Sequence, residues 1–308
     1  MASTERGLAL IEETAAGRLV ARAEGALRDA GSPSPRLDAE LLVAHAFERD
    51  RAWLRAHPEA PLDGAARARL DAWIDRRAAG EPIAYIRGFK EWLSLRLLVD
   101  RRSLIPRPET ELLAELAMAE IADRLVRDTR RITAWEVATG SGAVTAAIAL
   151  RFRTALSLGR LILTASDISP DALELAAENF ARLGVAGLVA LAGGDLLEPA
   201  ASAPPLDVVI ANLPYVRSAE VAAATGSLAW EPYLALDGGP DGLSVVRRLV
   251  AQLPSRLAGD GVALLEIGAG QAEPIRALLA GSVPSLQVSF HPDLAGHDRV
   301  VRLARERA

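Results

Sequence analysis

The first part of the chain carries apolar residues at helical spacing, from Leu8 to about Ala79, with arginines and acidic residues between them. Residues 31–35 and 57–64 interrupt this pattern with glycine and proline, and they predict turns. The segments between the turns fit about four helices. Gly80-Glu81-Pro82 then breaks the pattern. We therefore predict a small helical-bundle domain over residues 1–82.

A segment with strand character follows the helical region. Apolar and polar residues partly alternate over residues 84–89 and 93–99, on either side of a turn, which is typical of two paired strands. We therefore predict a β-hairpin linker over residues 83–104. After Ile105-Pro106-Arg107-Pro108 the apolar residues return to helical spacing, and we predict a long helix from residue 109 to about residue 126.

Strand and helix patterns alternate from residue 132 onward. Such alternation requires right-handed crossover connections, which place helices on both faces of a mostly parallel sheet. We therefore predict a doubly wound α/β domain over residues 105–308, with its ligand beyond the carboxyl ends of the strands. The predicted strands cover residues 132–138, 161–165, 188–191, 207–211 and 261–267, with a late one near 300–303, and helices begin near residues 143 and 171.

Length and composition agree with a globular protein of two domains. A chain of 308 residues is long for one core, and its hydrophobic (50%) and charged (24%) fractions are ordinary. No charge-free run reaches the roughly 18–20 apolar residues that span a bilayer. The start, from Met1 to Arg6, lacks the basic and then apolar pattern of a signal peptide. We therefore expect a cytoplasmic protein with no membrane partner.

The residue counts argue against several kinds of site. The chain has no cysteine, which excludes disulfides, thiolate metal ligands and a cysteine nucleophile. Its histidines are scattered without a helical i, i+4 pair, so we expect no metal; they are His45, His57, His291 and His297. The net charge of −5 argues against stable binding of nucleic acid, which draws on clustered cationic charge.

The first strand of the alternating region ends in a glycine-rich turn. Glycines let the backbone pass close to a ligand, and the helix behind them offers unpaired N–H groups. Such a turn is compatible with a nicotinamide, a flavin or S-adenosylmethionine, and also with a tight strand-to-helix turn that binds nothing. The candidate cofactor-binding residues of this turn are Ala138, Thr139, Gly140, Ser141 and Gly142.

The next two strands are each followed by an acidic residue. Asp167, with Ile168 beside it, stands where a carboxylate can accept both hydroxyls of a ribose, although capping the next helix is an alternative role. After the third strand, Asp195 can accept from an adenine amino group, and Leu196 can cover one face of the ring. These residues predict a cofactor that contains a nucleoside.

The fourth strand is followed by Asn212-Leu213-Pro214-Tyr215, which indicates the chemistry. An amide or exocyclic amine nitrogen is a poor nucleophile because its lone pair is delocalised. The Asn212 side-chain oxygen and the Leu213 carbonyl can accept its two N–H bonds and turn the lone pair toward a methyl sulfonium. Tyr215 can pack on the planar group. These four residues are the candidate catalytic residues, Asn212 also borders the cofactor, and an ordinary turn is the alternative.

Motifs spread over nearly the whole chain resemble those of the HemK/PrmC family of protein-(glutamine-N5) methyltransferases. The most distinctive is Leu104-Ile105-Pro106-Arg107-Pro108-Glu109-Thr110-Glu111. The others are Leu37-Asp38-Ala39-Glu40-Leu41-Leu42, Gly80-Glu81-Pro82-Ile83-Ala84-Tyr85-Ile86, Asp167-Ile168-Ser169-Pro170, Glu231-Pro232, Gly238-Gly239, Leu265-Glu266-Ile267-Gly268 with Gln271, and Asp293-Leu294-Ala295-Gly296.

The resemblance implies a Rossmann-like class I methyltransferase domain with S-adenosyl-L-methionine as cofactor. It also implies that the substrate is the glutamine of the Gly-Gly-Gln motif of class-1 peptide chain release factors, and that the helical N-terminal domain binds this protein partner. Two positions depart from the family pattern: Ala138 stands where a glycine is usual, and Leu213 replaces the first proline of Asn-Pro-Pro-Tyr. We expect a monomer.

Other functions stay open at this point. An adenine-N6 methyltransferase of nucleic acid performs the same chemistry at an exocyclic amine, and Asn-Leu-Pro-Tyr also resembles the ribosomal-RNA adenine dimethylases. A glutamine methyltransferase of a ribosomal protein is a second alternative, and a binding module with a decayed methyltransferase fold is a third. The net acidity and the string over residues 105–111 favour the release-factor enzyme over the first alternative.

Overall fold

The computed structural model describes residues 14–305. The predicted helical positions from Leu8 to Glu13 lie outside the described residues. Met1 to Arg6, which lack the pattern of a signal peptide, also lie outside them. The chain divides into two compact units. The first comprises the chain up to Gly88 together with Ala224–Trp230, and the second comprises Phe89–Ala223 together with the chain from Glu231 onward.

Helices make up most of the described part of the first unit. Their apolar faces bury leucines such as Leu19, Leu27, Leu42 and Leu70 in a common core, as the helical spacing of the sequence predicts. The helices are α1 (Ala16–Asp29), α2 (Pro35–Ala46), α3 (Arg51–Ala56), α4 (Gly64–Ala78) and α5 (Ile83–Arg87), followed much later in the chain by the 3-10 turn Gly226–Trp230.

A buried ion pair joins two helices of the first unit. Asp38 of α2 accepts from the guanidinium of Arg77 of α4 at 2.8 Å, and both side chains are buried. The hydroxyls of Ser32 and Ser34 also donate to Asp38, at 2.7 and 3.1 Å. Both oxygens of the carboxylate thus accept hydrogen bonds, as a buried charge requires. Arg77 donates in addition to Ser227 at 2.9 Å.

The strand predicted over residues 84–89 is wrong for most of its length. The helix α5 occupies this place, with Pro82 at its N-cap and Gly88 at its C-cap with φ +73°, a left-handed conformation that ends helices. The hairpin itself is present over a shorter range. Its strands β1 (Phe89–Trp92) and β2 (Leu95–Leu98) pair antiparallel and belong to the second unit.

A sheet of seven strands forms the centre of the second unit, in the order β5-β4-β3-β6-β7-β9-β8. The first five strands run parallel, and β9 is antiparallel to both neighbours. The strand order changes direction between β3 and β6, which makes this the switch point at which such sheets bind ligands. The strands are β3 (Ile132–Val137), β4 (Leu161–Asp167), β5 (Ala190–Gly193), β6 (Leu206–Asn212), β7 (Leu257–Glu266), β8 (Leu286–Pro292) and β9 (Asp298–Arg305).

Helices cover both faces of this sheet. Ile132 and Ala134 of β3 pack on one face, and Trp135 and Val137 pack on the other. The helices of the second unit are α6 (Thr110–Arg127), α7 (Ala143–Arg151), α8 (Arg153–Ser157), α9 (Pro170–Arg182), α10 (Ser218–Ala222), α11 (Tyr233–Leu236), α12 (Ser244–Arg256) and α13 (Ala272–Ser282). The predicted doubly wound α/β fold is confirmed. None of the described helices is long and apolar enough to cross a membrane.

The strand bounds differ from the prediction at three places. β5 begins at Ala190 because Ala186–Leu188 forms a 3-10 turn, and β7 begins at Leu257, before the predicted residue 261. β8 is absent from the prediction. Most of its side chains are exposed or half-buried, so its sequence lacks the apolar run that marks the parallel strands.

Candidate functional site

The polar residues at the strand ends meet in one pocket of the second unit. Its empty volume is about 1200 Å³, including its open mouth. The predicted residues that line it are Ala138, Thr139, Gly140, Ser141, Asp167, Ile168, Asp195, Leu196, Asn212, Leu213 and Pro214, whereas Gly142 and Tyr215 do not.

The turn after β3 requires left-handed backbone at three positions. Gly140 has φ +55° and Gly142 has φ +78°, where glycine carries no steric cost. Ala138 also has a positive φ of +55°, which is strained for a residue with a Cβ atom. Gly142 faces the core: a Cβ there would lie 2.7 Å from the ring of Phe180. Gly142 thus allows α7 to pack closely, and the cofactor contact at Gly142 stays a prediction.

The helix α7 begins at the wall of the pocket, and in its first turn the Thr145 N–H is bound by the Glu136 carboxyl. Its N-cap residue is Gly142, which has no side chain to satisfy the first N–H groups. Ser141 and Ala143 both line the pocket beside this helix end. Free backbone N–H groups at a helix N-terminus attract anions. This edge of the pocket can therefore bind a carboxylate or another anionic group of a ligand.

Glu136, one residue before the end of β3, is a buried carboxyl on this side of the pocket. The Thr139 hydroxyl donates to its Oε2 at 2.8 Å, and the Thr145 backbone N–H does so at 3.0 Å. The Thr145 hydroxyl donates to the same oxygen. Burial raises the pKa of Glu136 to about 7, and these donors hold the rise in check. The group fixes the turn to α7, and sequence reasoning had not singled it out.

Asp167, the last residue of β4, has both carboxylate oxygens engaged by the backbone. The Gly140 N–H donates to Oδ2 and the Ser169 N–H donates to Oδ1, each at 2.9 Å. Burial raises the pKa of Asp167, and these N–H groups oppose the rise. Each oxygen of a carboxylate has about two lone-pair sites, so one on each oxygen stays available for a ligand hydroxyl.

The residues after β5 form the far end of the pocket. Leu196 is buried and has φ +51°. Asp195 forms an ion pair with Arg248 of α12, a pocket residue that was not predicted from the sequence. The Asp195 carboxylate, which is predicted to accept from an adenine amino group, is therefore already paired with Arg248.

Asn212, the last residue of β6, is oriented by a hydrogen bond. Its Nδ2 donates to the hydroxyl of Thr110 at 3.1 Å, and Thr110 is the buried first residue of α6. Both residues line the pocket. No described residue donates to Oδ1 of Asn212, so this oxygen is the acceptor left for a ligand. The choice between oxygen and nitrogen follows from this hydrogen-bond network.

The loop after Asn212 is held by glycines and by one glutamine. Gln271 donates to the Tyr215 carbonyl at 3.0 Å and accepts from the Gly268 N–H at 2.8 Å. A Cβ at Gly238 would lie 2.8 Å from the Pro214 carbonyl oxygen, so only glycine fits there. Burial raises the pKa of the Tyr215 hydroxyl to about 12, which keeps it neutral over the physiological range.

The string at residues 105–111 is anchored next to this loop. Glu231 accepts from the Ile105 N–H at 3.0 Å and from the Arg107 guanidinium at 2.5 Å. The indole N–H of Trp92 donates to the Arg107 carbonyl at 2.8 Å. These bonds fix the start of α6 and thereby place Thr110 against Asn212. Within residues 14–305, no group of three or more His, Cys, Asp or Glu side chains could hold a metal ion.

Comparison with known proteins shows the family. The model of the PrmC N-terminal domain matches residues 18–88. A release factor glutamine methyltransferase from Koribacter versatilis is 39% identical over 279 residues, which cover 89% of this chain and 93% of that relative. A relative of the same name from Deinococcus radiodurans is 38% identical over 93% of this chain and 97% of its own length.

A solved structure is also similar to this chain. The release-factor-specific protein-(glutamine-N5) methyltransferase from Alicyclobacillus acidocaldarius is 28% identical and covers 66% of this chain and 94% of its own, with a TM-score of 0.39. The two sequence relatives, which are more than a third identical over nearly their whole length, decide the assignment. This chain belongs to the family of release factor glutamine methyltransferases.

Proposed function

We propose that the protein transfers a methyl group from S-adenosyl-L-methionine to the N5 amide nitrogen of the glutamine in the Gly-Gly-Gln motif of class-1 release factors. The observation that carries this proposal is the orientation of Asn212, whose nitrogen is bound to Thr110 and whose oxygen is left as a free acceptor at the pocket. The names of the relatives support a release factor as the substrate.

The pocket suits the cofactor of this family. The open lone pairs of Asp167 suit ribose hydroxyls, and the start of α7 beside Ser141 suits the carboxylate of the methionine part. Leu196 supplies an apolar surface for the adenine. When bound, S-adenosylmethionine supplies a methyl group on a positively charged sulfur. Ala138 carries a methyl group where the family has none, but its side chain is only half-buried, so the pocket stays open there.

The residues after β6 would orient the glutamine amide. With Asn212 Oδ1 and the Leu213 carbonyl accepting its two N–H bonds, the lone pair of the amide nitrogen is held in one direction. Pro214 shapes the loop, and Tyr215 packs near the planar group. Rate enhancement then comes from orientation and fixed dipoles, which together supply several kcal/mol in enzymes, on the order of 3–4 for one oriented acceptor or donor.

The Tyr215 hydroxyl does not serve as the base in this scheme. Burial, together with the nearby Glu266 charge, raises the pKa of Tyr215 to about 12, so the hydroxyl keeps its proton at physiological pH. The amide loses its own proton readily once it has been alkylated. The residues of this loop therefore contribute by binding and positioning.

We further propose that the helical unit binds the release factor. Deletion of residues 1–79 should leave a folded domain that binds the cofactor, because the sheet unit has its own core. The value of kcat/KM for the intact release factor should fall about tenfold or more, because KM rises. The measurement compares full and truncated chains on the intact factor and on a short Gly-Gly-Gln peptide. Equal KM values on the intact factor would refute the role in partner binding.

The decisive experiment follows the transferred methyl group. The protein is incubated with radiolabelled S-adenosylmethionine and, in separate reactions, a release factor, total ribosomal protein or total RNA. We expect label only in the release factor, and none in a control factor whose Gly-Gly-Gln glutamine is replaced by alanine. Label in RNA or in ribosomal protein alone would assign the enzyme to another substrate. We expect a monomer that acts in the cytoplasm, which sedimentation and fractionation of cells can check.

A further inference from the structure

Glu266 is a buried carboxyl that the proposed reaction has not used. It is the last residue of β7 and lies directly across from Asn212 in the parallel ladder between β6 and β7. The residue is only 2% exposed. Neither carboxyl oxygen makes a hydrogen bond of normal geometry to any residue in the described range 14–305. A buried acid without partners is costly for stability, so its presence beside the acceptor site calls for a function.

Several groups face this carboxyl. The hydroxyls of Thr110 and Tyr215 and the guanidinium of Arg299 favour its charged form, whereas the Glu109 carboxylate opposes it. Burial is the largest influence, and together these groups raise the pKa of Glu266 to about 7. A carboxyl with this pKa changes between its neutral and charged forms near neutral pH.

The Thr110 hydroxyl bears on both residues, because it accepts from Asn212 and also lowers the pKa of Glu266. A hydroxyl has one hydrogen to donate, and its oxygen can accept as well. The oxygen of Thr110 accepts from Nδ2 of Asn212 at 3.1 Å, which leaves the hydrogen of Thr110 for another acceptor. An ionised carboxylate can only accept. When Glu266 is charged, it therefore draws the Thr110 hydrogen away from Asn212.

We infer that Glu266 is a positioning residue which, through Thr110, holds the Asn212 side chain with its oxygen toward the acceptor amide. This inference rests on the proposed function, in which that oxygen binds the glutamine. When Glu266 is neutral, its O–H group can donate a hydrogen bond to the Thr110 oxygen. The Thr110 hydroxyl can then donate its own hydrogen to Oδ1 of Asn212. The amide of Asn212 is then free to flip and present its nitrogen, which cannot accept from the substrate.

The side-chain amide signals of the full-length protein test this relay directly. The chain has only two asparagines, Asn179 and Asn212, so their NH2 signals are easily assigned in a nitrogen-15 spectrum. We expect the Asn212 signals to shift with pH, with a midpoint close to the pKa of Glu266, and Glu266→Gln to abolish the shift. Asn179 donates to the carbonyls of Leu98 and Ser141 and serves as an internal reference for folding.

A matched control is available on the other side of the pocket. Glu136 is also buried, and its pKa is also about 7, so Glu136→Gln is the same change in a similar setting. The inference predicts that this variant keeps the pH-dependent shift of Asn212. Loss of the shift in Glu136→Gln, or its persistence in Glu266→Gln, would overturn the inference. If Glu266→Gln does not fold, Thr110→Val, which has the same shape without the hydroxyl, should abolish the shift instead.

Turnover provides the second readout. Glu266→Gln and Thr110→Val should lower turnover on a release factor by about tenfold or more, with the affinity for S-adenosylmethionine unchanged, because only the acceptor side loses its orientation. Thr110→Ser, which keeps the hydroxyl, should restore most of the activity. Wild-type turnover in Glu266→Gln would refute the inference and leave the proposed function intact. If the wild-type protein itself labels no release factor, the proposed function fails, and the spectra still decide whether Glu266 controls Asn212.

Discussion

The two sides of the pocket treat their buried polar groups differently. On the side of β3 and β4, Glu136 and Asp167 accept hydrogen bonds from the protein itself. On the side of β6 and β7, Asn212 has a free oxygen, and Glu266 makes no regular hydrogen bond to the described residues. Both glutamates are buried, and both have a pKa near 7. The hydrogen-bond donors around the two glutamates differ.

This difference fits the two roles proposed above, cofactor binding on the first side and acceptor binding on the second. A cofactor site benefits from walls whose groups are already fixed, because less freedom is then lost on binding. An acceptor site must keep polar groups free for a substrate that binds and dissociates. In the unbound protein these groups lack hydrogen-bond partners, which reduces its stability. The comparison predicts that changes on the first side affect cofactor affinity, whereas changes on the second side affect turnover and can even raise stability.

The largest expected effect is at Asn212. Asn212→Ala should lower turnover about a hundredfold, in line with the roughly 10²–10³ loss on removing one oriented polar group, while cofactor affinity changes little. Initial rates on a release factor and calorimetric titration with S-adenosylmethionine provide the two measurements. Asn212→Asp keeps an acceptor and serves as the control, with partial activity expected. Turnover at the parent rate in Asn212→Ala would contradict the proposed mechanism.

Stability should respond to Glu266 with a definite dependence on pH. The pKa of Glu266 is about 7 in the folded protein, against an ordinary value of 4.5. The contribution of this group to stability is complete below about pH 4.5 and is lost as the pH rises through about 7. Glu266→Gln does not titrate, so it should be more stable than the parent at pH 8, by about 3 kcal/mol, with a smaller difference at pH 4.5.

Urea denaturation at the two pH values measures this difference, and Glu136→Gln sharpens it. That variant also stops titrating, but it disturbs the bonds from Thr139 and Thr145, so it should start from a lower stability at pH 4.5. Equal behaviour of the two variants at both pH values would mean that the donors around Glu136 make no difference. The contrast between the two sides would then be lost.

Asp167 tests the cofactor side. Asp167→Ala should weaken the binding of S-adenosylmethionine tenfold or more, because charge-assisted contacts to the ribose, on the order of 1.5–3 kcal/mol, are lost. Turnover at saturating cofactor should fall much less. Asp167→Asn retains the size of the side chain and separates loss of charge from loosening of the turn at Gly140. Unchanged cofactor affinity in Asp167→Ala would remove this residue from the site.

The smallest effect is expected at Ala138. Its positive φ is costly for any residue with a Cβ atom, so Ala138→Gly should stabilise the protein by about 0.5–1 kcal/mol after the greater freedom of glycine in the unfolded chain is counted. Thermal denaturation measures the gain. Ala134→Gly in the middle of β3 is the matched control and should destabilise the protein. A loss of stability in Ala138→Gly would mean that the methyl group contributes packing that outweighs the strain.

Much of the fold could be predicted because the central parallel strands β3, β4 and β6 are buried on both faces. β3 and β6 read as apolar runs followed by polar or glycine-rich turns, and those runs stood out in the sequence. The exposed edge strand β8 gave no such signal. The error at α5 has a local cause: Tyr85 and Ile86 favour strands, but the flanking Pro82 and the left-handed Gly88 define one turn of helix.

The site could be predicted only as far as single strand ends reveal it. Asp167 and Asn212 are the last residues of their strands, so their roles could be predicted from position. Thr110 and Arg248 could not, because their contacts join residues far apart in the chain, Thr110 with Asn212 and Arg248 with Asp195. Glu266 lies in a family motif, but no role was predicted for it. Its interest comes from the absence of hydrogen-bond partners among the described residues, which only the folded structure shows.

The loop after Asn212 departs from the family pattern at one position. Leu213 stands where the family has proline. The loop around it is held by the hydrogen bond from Gln271 to the Tyr215 carbonyl and by the close approach of Gly238 to Pro214. Leu213 itself is buried in the core. The loop is therefore held by residues that lie far from it in the chain, Gly238 and Gln271, and its shape does not require a proline at residue 213.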